Sequence, residues 1–141
     1  MTKYTPKYFS PKEFHEFDRM NPLLLEELDK LREWLGSPVY ITSSTDGTHE
    51  PNSQHYLGRA VDVVFPNSKK TLRQIYEQCL KMKFMGIGVY PNWKYLGKEI
   101  GGLHLDVRDT KVRAQWMGVK KNGKQTYIAL TSQNLTQHKV V

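Results

Sequence analysis

The sequence predicts a single globular α+β domain, and three observations predict it. Its 141 residues, 38% hydrophobic and 11% aromatic, fill one ordinary core and leave no room for a second. Some segments space apolar residues as an amphipathic helix does, whereas others alternate apolar and polar residues as strands do. No internal repeat or low-complexity segment interrupts them. The apolar runs fall far short of the roughly 20 residues that cross a bilayer, and the start, MTKYTPKYFS, lacks the apolar stretch of a signal peptide. A soluble chain made in the cytoplasm, with no membrane partner, is therefore expected. The single cysteine, Cys79, excludes an internal disulfide and a cysteine-rich zinc knuckle, and its surroundings read as a small buried hydrophobe.

The elements follow in order. Ser10-Pro11-Lys12-Glu13 is a capping box with Pro at the first helical position, which predicts a short helix from Pro11 with Phe14 and Phe17 on its apolar face. Asn21-Pro22 starts a second helix, where Leu24, Leu28, Leu31 and Leu35 recur at helical spacing until Gly36. Val39, Ile41 and Ser43 alternate with Tyr40 and Thr42 as a strand, followed by the polar loop STDGTHEPNSQ. Residues 60 to 65 read as a strand. Ser68 caps a helix through about Met82, with Leu72, Ile75, Cys79 and Leu80 inward. Gly86 to Tyr90 reads as another strand, and Asn122-Gly123 is a hairpin turn between the Trp116 and Tyr127 segments. The domain then spans 1–131, and 132–141 reads as a loose polar tail.

Two strands carry ionisable groups where strands of a core carry none. In SQHYLGRAVDVVF, residues 53 to 65, Asp62 sits among Ala60, Val61, Val63, Val64 and Phe65, where desolvating a carboxylate costs several kcal/mol unless something compensates. In GGLHLDVRD, residues 101 to 109, alternation puts Leu103, Leu105 and Val107 on one face and His104, Asp106 and Arg108 on the other. If the two strands are neighbours, Asp62 meets His104. An ion pair of Asp62 with His104 or Arg108 would compensate the charge but leaves His55 unexplained. A metal explains all three, because zinc takes imidazole nitrogen and carboxylate oxygen, and a catalytic site uses three protein ligands with one position open. His55, Asp62 and His104 are such a set. His49, six residues before His55, is either a solvated loop residue or a further ligand or substrate contact.

The segment Ser53-Gln54-His55-Tyr56-Leu57-Gly58-Arg59-Ala60-Val61-Asp62 resembles the Ser-x-His-x-x-Gly-x-Ala-x-Asp signature of the zinc D-alanyl-D-alanine carboxypeptidase family, relatives of the LAS peptidoglycan metallopeptidases and the hedgehog signalling domain. Gly88-Val89-Tyr90-Pro91, followed by the His104-Leu105-Asp106-Val107-Arg108 strand, is similar to the small, often phage-borne branch, as are Phe9 to Phe14 and Pro38 to Ser43. The resemblance covers roughly residues 8 to 116. It implies a small antiparallel sheet flanked by helices, a zinc on its open face held by His55, Asp62 and His104, and hydrolysis of peptide bonds in peptidoglycan stem peptides by a monomer. It also implies action on the bacterial wall, as of a phage lysis or virion enzyme. Which stem-peptide bond is cut, a terminal D-Ala-D-Ala bond or an internal one, stays open.

Two positions depart from the family pattern. Where relatives carry Gly-Tyr-Arg, with an Arg that helps hold the substrate carbonyl oxygen, this chain has Ser44-Thr45-Asp46. Arg59 or Arg108 could substitute. Where relatives place a carboxylate three residues before the last His, it has Gly101. Asp106 is then the favoured general base, with Glu99 second, and the other role for Asp106 is to orient an imidazole. Ser43, Ser44 and Ser53 show no His and acid arrangement for a serine hydrolase. The formal charge of +7 fits a polyanionic neighbour such as a bacterial wall, and no aromatic-interleaved basic motif points to nucleic acid. The alternative reading is a zinc-bound interaction module of the same fold that hydrolyses nothing.

Overall fold

In the computed structural model, which describes residues 4–141, the first capping box forms but does not propagate into a helix. Ser10 and Glu13 exchange both bonds of the box, yet Pro11–Glu13 and Phe17–Arg19 are separate 3-10 turns, because Glu16 between them takes a left-handed conformation at φ 54°. Phe14 is buried as expected, and Phe17 packs partly buried against the same core.

Helix α1 spans Pro22–Leu35, with Asn21 accepting from the Leu23 amide and Gly36 closing the end. Its Leu24, Leu28, Leu31 and Leu35 are all buried. Helix α2 spans Leu72–Cys79, starting later and ending earlier than its pattern predicts. Thr71 rather than Ser68 is the N-cap, because Thr71 and Gln74 form a capping box while the Ser68 hydroxyl closes a local turn with Lys70. Ile75 and Cys79 are buried, and Leu72 and Leu80 pack partly buried beside them. Burial pushes the Cys79 thiol well above its usual pKa, the opposite of a reactive cysteine. The expected loose tail is a correction. Helix α3, Ser132–Gln137, is capped by Thr131, and Leu135 and Val140 join the core at 3% exposure each.

The strands are β1 (Tyr40–Ser43), β2 (Ala60–Val64), β3 (Gly86–Tyr90), β4 (Lys94–Tyr95), β5 (Lys98–Glu99), β6 (Gly102–Asp106), β7 (Ala114–Lys121) and β8 (Lys124–Ile128). Six of them form one sheet in the order β1-β2-β6-β3-β7-β8, and β4 with β5 forms a small separate hairpin that the sequence pattern does not announce. The expected all-antiparallel sheet is corrected to a mixed one, since β3 and β7 run parallel. The chain reverses into β6 on one side of β3, reverses again, and reaches the other side of β3 in its original direction. Asn122-Gly123 makes the expected hairpin between β7 and β8.

One face of the sheet is core: Val61, Val63, Ile87, Val89, Leu103 and Leu105 are fully buried in the cluster that holds the α1 leucines. Among the described residues no helix is long and apolar enough to cross a membrane. The opposite face carries the ionisable groups in two rows set by strand register. Asp62, His104, Gly88 and Trp116 are successive partners across β2, β6, β3 and β7. Ala60, Asp106, Gly86 and Ala114 form the next row.

Candidate metal centre

Register makes Asp62 and His104 direct cross-strand partners, and His55 reaches them from the loop between β1 and β2. His55 Nε2, Asp62 Oδ1 and His104 Nδ1 stand at the corners of a triangle whose three edges are each 3.2 Å. Ligands about 2.0 Å from a tetrahedral ion stand about 3.3 Å from one another, so the triangle has the dimensions of one face of such a site. All three sequence-predicted ligands are brought together.

The hydrogen bonds behind the rings fix which nitrogen carries a proton. His55 Nδ1 lies 2.8 Å from the Ser44 carbonyl oxygen, which can only accept, so Nδ1 donates and Nε2 presents a lone pair. His104 Nε2 lies 2.6 Å from Asp106 Oδ2 and donates to it, so His104 Nδ1 presents a lone pair as well. With Asp62 ionised and both imidazoles neutral, three acceptors then face one another. Burial opposes charge on Asp62, but hydrogen bonds with His104 and His55 outweigh it and hold the carboxyl low, at about 2. Burial also opposes charge on His104, and bonds to Asp106 and Asp62 outweigh it, raising its pKa. Such a triangle calls for positive charge at its centre.

His49 is no solvated loop residue. Its ring stacks on His55 at 3.8 Å between centroids and 5° between planes. His49, His55 and Asp62 each bring a ligand atom within 4.8 Å of the others, a cluster that could bind a metal ion. Its Nε2, however, is engaged by the Asp46 carbonyl at 2.9 Å and the Ser43 hydroxyl at 3.1 Å. His49 therefore serves first as a wall that holds the His55 ring flat.

None of the three expected catalytic residues lines the cleft over the triangle, although Asp106 does share the sheet face of His104 as expected. Asp106 is fully buried behind His104, and besides the His104 N–H its oxygens accept from the Arg108 amide, Nε and Nη2 at 3.0, 2.9 and 2.7 Å. Burial would raise its pKa, but His104 and Arg108 hold it well below the carboxylate range. This geometry matches the alternative role, a carboxylate that orients an imidazole. Glu99 is exposed on β5, bonded to the Asn92 amide at 3.2 Å, and borders a different depression beside the C-terminus. Arg59 does not line the cleft over the triangle; Arg108 does.

That cleft has a volume of about 800 Å³. Apart from Asp62, its one lining carboxylate is Glu50, whose side chain has no hydrogen-bond or ion-pair partner among the described residues. Arg108 is its one lining Lys or Arg, lying 5.3 Å over the Trp116 ring. Tyr90 on β3, Trp93 in the turn that follows it, Trp116 on β7 and Tyr127 on β8 line one side of the cleft. Sequence reasoning missed Glu50 and these aromatics. Trp116 had one readable sign, the glycine alternation of β3, because an added Cβ on Gly88 would press on the Trp116 and Tyr90 rings. Asp46, standing where the family pattern has Arg, caps the Ser44 amide at 2.8 Å and is absent from the cleft lining. Comparison of the chain with protein-family models, curated proteins and solved structures finds no match.

Proposed function

We propose that this chain is a zinc-dependent peptidase that hydrolyses peptide bonds in peptidoglycan stem peptides. The observation that carries the reading is the triangle of three lone-pair acceptors at 3.2 Å, each imidazole fixed in the ligating tautomer by a bond on its far side. A structural ion would be enclosed by a fourth protein ligand, whereas this triangle opens into a cleft. Zinc is the metal favoured by two imidazoles and a carboxylate. When bound, it supplies water activation and carbonyl polarisation at neutral pH.

The chain's own residues divide the remaining work. His55, Asp62 and His104 hold the ion, while Ser44, Asp106 and His49 hold the two imidazoles in place. Glu50, the unpartnered carboxylate of the cleft, accepts the proton of the attacking water and returns it to the leaving amine. Arg108, whose Nη1 remains free of hydrogen bonds to described residues, brings positive charge to the cleft in place of the Arg missing after Ser44. The resemblance of residues 53 to 62 to the carboxypeptidase signature supplies the substrate class.

The test is metal analysis of purified protein, followed by mass spectrometry of muropeptides after digestion with and without chelator. One zinc per chain and chelator-sensitive cleavage are expected. Absence of bound metal after zinc loading would overturn the reading. Zinc at full stoichiometry with no cleavage of wall material would favour the interaction module, which the exchange of Arg for Asp46 supports.

A further inference from the structure

We propose that the aromatic side of the cleft is a saccharide subsite, one that stacks an N-acetylated sugar ring of the glycan to which the stem peptide is attached. The assignment of that sugar to peptidoglycan rests on the peptidase reading; the binding chemistry rests on the cleft itself.

The rings are held in place before any ligand arrives. Trp93 stacks on Tyr90 at 4.2 Å and 12°, Tyr127 meets Tyr90 edge-on at 6.5 Å and 89°, and Trp116 Nε1 donates to the Tyr90 hydroxyl at 2.8 Å. Tyr90 is buried, so it anchors three rings that border the cleft. Tyr127 remains 65% exposed, a large apolar surface left facing solvent. Rigid rings bind at a small entropic cost.

The polar groups among the rings decide the ligand class. Side-chain amides come from Asn52 and Gln54 on the loop and Gln125 on β8, and Gln54 Oε1 is buried without a hydrogen-bond partner. No Leu, Ile, Val or Met lines the cleft, so it is not built to enclose an aliphatic side chain. Aromatic faces carry negative potential and attract the C–H face of a pyranose, while amides match hydroxyl and acetamido groups at its edge. Single-stranded nucleic acid would also stack on aromatic rings, but its backbone requires a basic groove. Here Arg108 is the one Lys or Arg, already paired with Asp106, and it is set against Asp62 and Glu50.

The wall begins next to the metal centre, with the Trp116 and His104 ring centroids 5.1 Å apart. An extended peptide covers about 3.5 Å per residue, so a sugar on this wall places the sugar-proximal bonds of its peptide, rather than the far end, over the triangle.

The experiment titrates tri-N-acetylchitotriose into the full chain freed of metal by chelation, following the indole and amide NMR signals. Cellotriose, with the same ring but no acetamido group, is the control. Chitotriose should shift the Trp93 and Trp116 indole signals with a Kd of about 0.1–1 mM, and cellotriose should bind at least about tenfold more weakly. Tyr127→Ala, at an exposed position, should weaken chitotriose about tenfold with an unchanged melting temperature. No shift at either indole, or equal binding of the two sugars, overturns the subsite. Chelator-sensitive cleavage of wall material without sugar binding sinks this inference alone. Sugar binding by a chain that never cleaves sinks the peptidase reading and leaves the subsite.

Discussion

Replacing Asp106 by Asn separates an orienting carboxylate from a catalytic base. The buried carboxylate accepts four hydrogen bonds, from His104 Nε2 and from the Arg108 amide, Nε and Nη2. An amide of the same shape has one oxygen and one NH2 group. If the oxygen faces His104, the NH2 confronts the Arg108 guanidinium; if it faces Arg108, the NH2 confronts the His104 N–H. Either way a buried donor loses its acceptor. Breaking a buried charged pair from one side costs about 3–5 kcal/mol, and the amide oxygen recovers part of that, so a loss of about 2–4 kcal/mol is expected. For a domain of this size that lowers the melting temperature by about 10 °C. The metal should bind about 10- to 100-fold more weakly, because His104 loses the partner that fixes its tautomer. Chelator competition reads the affinity, and calorimetry of the metal-free protein reads the stability. Cleavage of wall material should return at saturating zinc. Unchanged affinity and stability with cleavage abolished at saturating zinc would refute the reasoning and make Asp106 the base.

Four other outcomes are expected. Glu50→Gln should keep one zinc and its melting temperature while kcat falls about 10²- to 10⁴-fold; full turnover would remove Glu50 from the reaction. His104→Ala should abolish both zinc binding and the rise in melting temperature that zinc gives the wild type, and retention of either would mean His104 is no ligand. Cys79 should resist a thiol-specific reagent in the folded protein and react only on unfolding, because burial holds it as a thiol; fast labelling of native protein would contradict that. The Tyr4 hydroxyl donates to Asp29 at 2.7 Å, which raises its pKa from 10.0 to about 12. A raised folded-state pKa stabilises fully below pH 10 and fades between about pH 10 and 12, so Tyr4→Phe should show a shallower stability decline than the wild type in that window, the remainder coming from the buried Tyr76, Tyr90 and Cys79. Parallel curves for the two proteins would rule it out.

The three groups of the triangle were legible because strand alternation and a seven-residue spacing are local. His104 and Asp62 needed only the guess that β2 and β6 are neighbours. The carboxylate proposed as base was illegible for the opposite reason. Asp106 and Glu99 are close to His104 in sequence, but Asp106 points behind the imidazole and Glu99 lies on another hairpin, whereas Glu50 reaches the cleft from a loop 54 residues away in the chain. The parallel pairing of β3 with β7 and the docking of Leu135 depend on contacts between distant segments, which no local pattern records. The departure at α2 was a contest between two good caps, Ser68 and Thr71, and the capping box with Gln74 decided it.

Small residues explain why the ligands converge. Seven residues of continuous strand would separate His55 from Asp62 by about 23 Å, yet their ligand atoms lie 3.2 Å apart. The chain turns back at Gly58, whose φ of +72° suits glycine and where any Cβ would overlap the Arg19 carbonyl. Ala60 and Gly86 flank Asp106 in its row, and a Cβ at Gly86 would overlap the carboxylate, so a small residue on one side and a bare backbone on the other let Asp106 sit fully buried behind His104. One row along, the bare backbone at Gly88 lets the Trp116 indole lie against Tyr90 and beside His104. The triangle and the aromatic wall are thus tied to two neighbouring glycines of β3: a methyl group at Gly88 would press on the Trp116 and Tyr90 rings, and one at Gly86 on the carboxylate of Asp106 that orients His104.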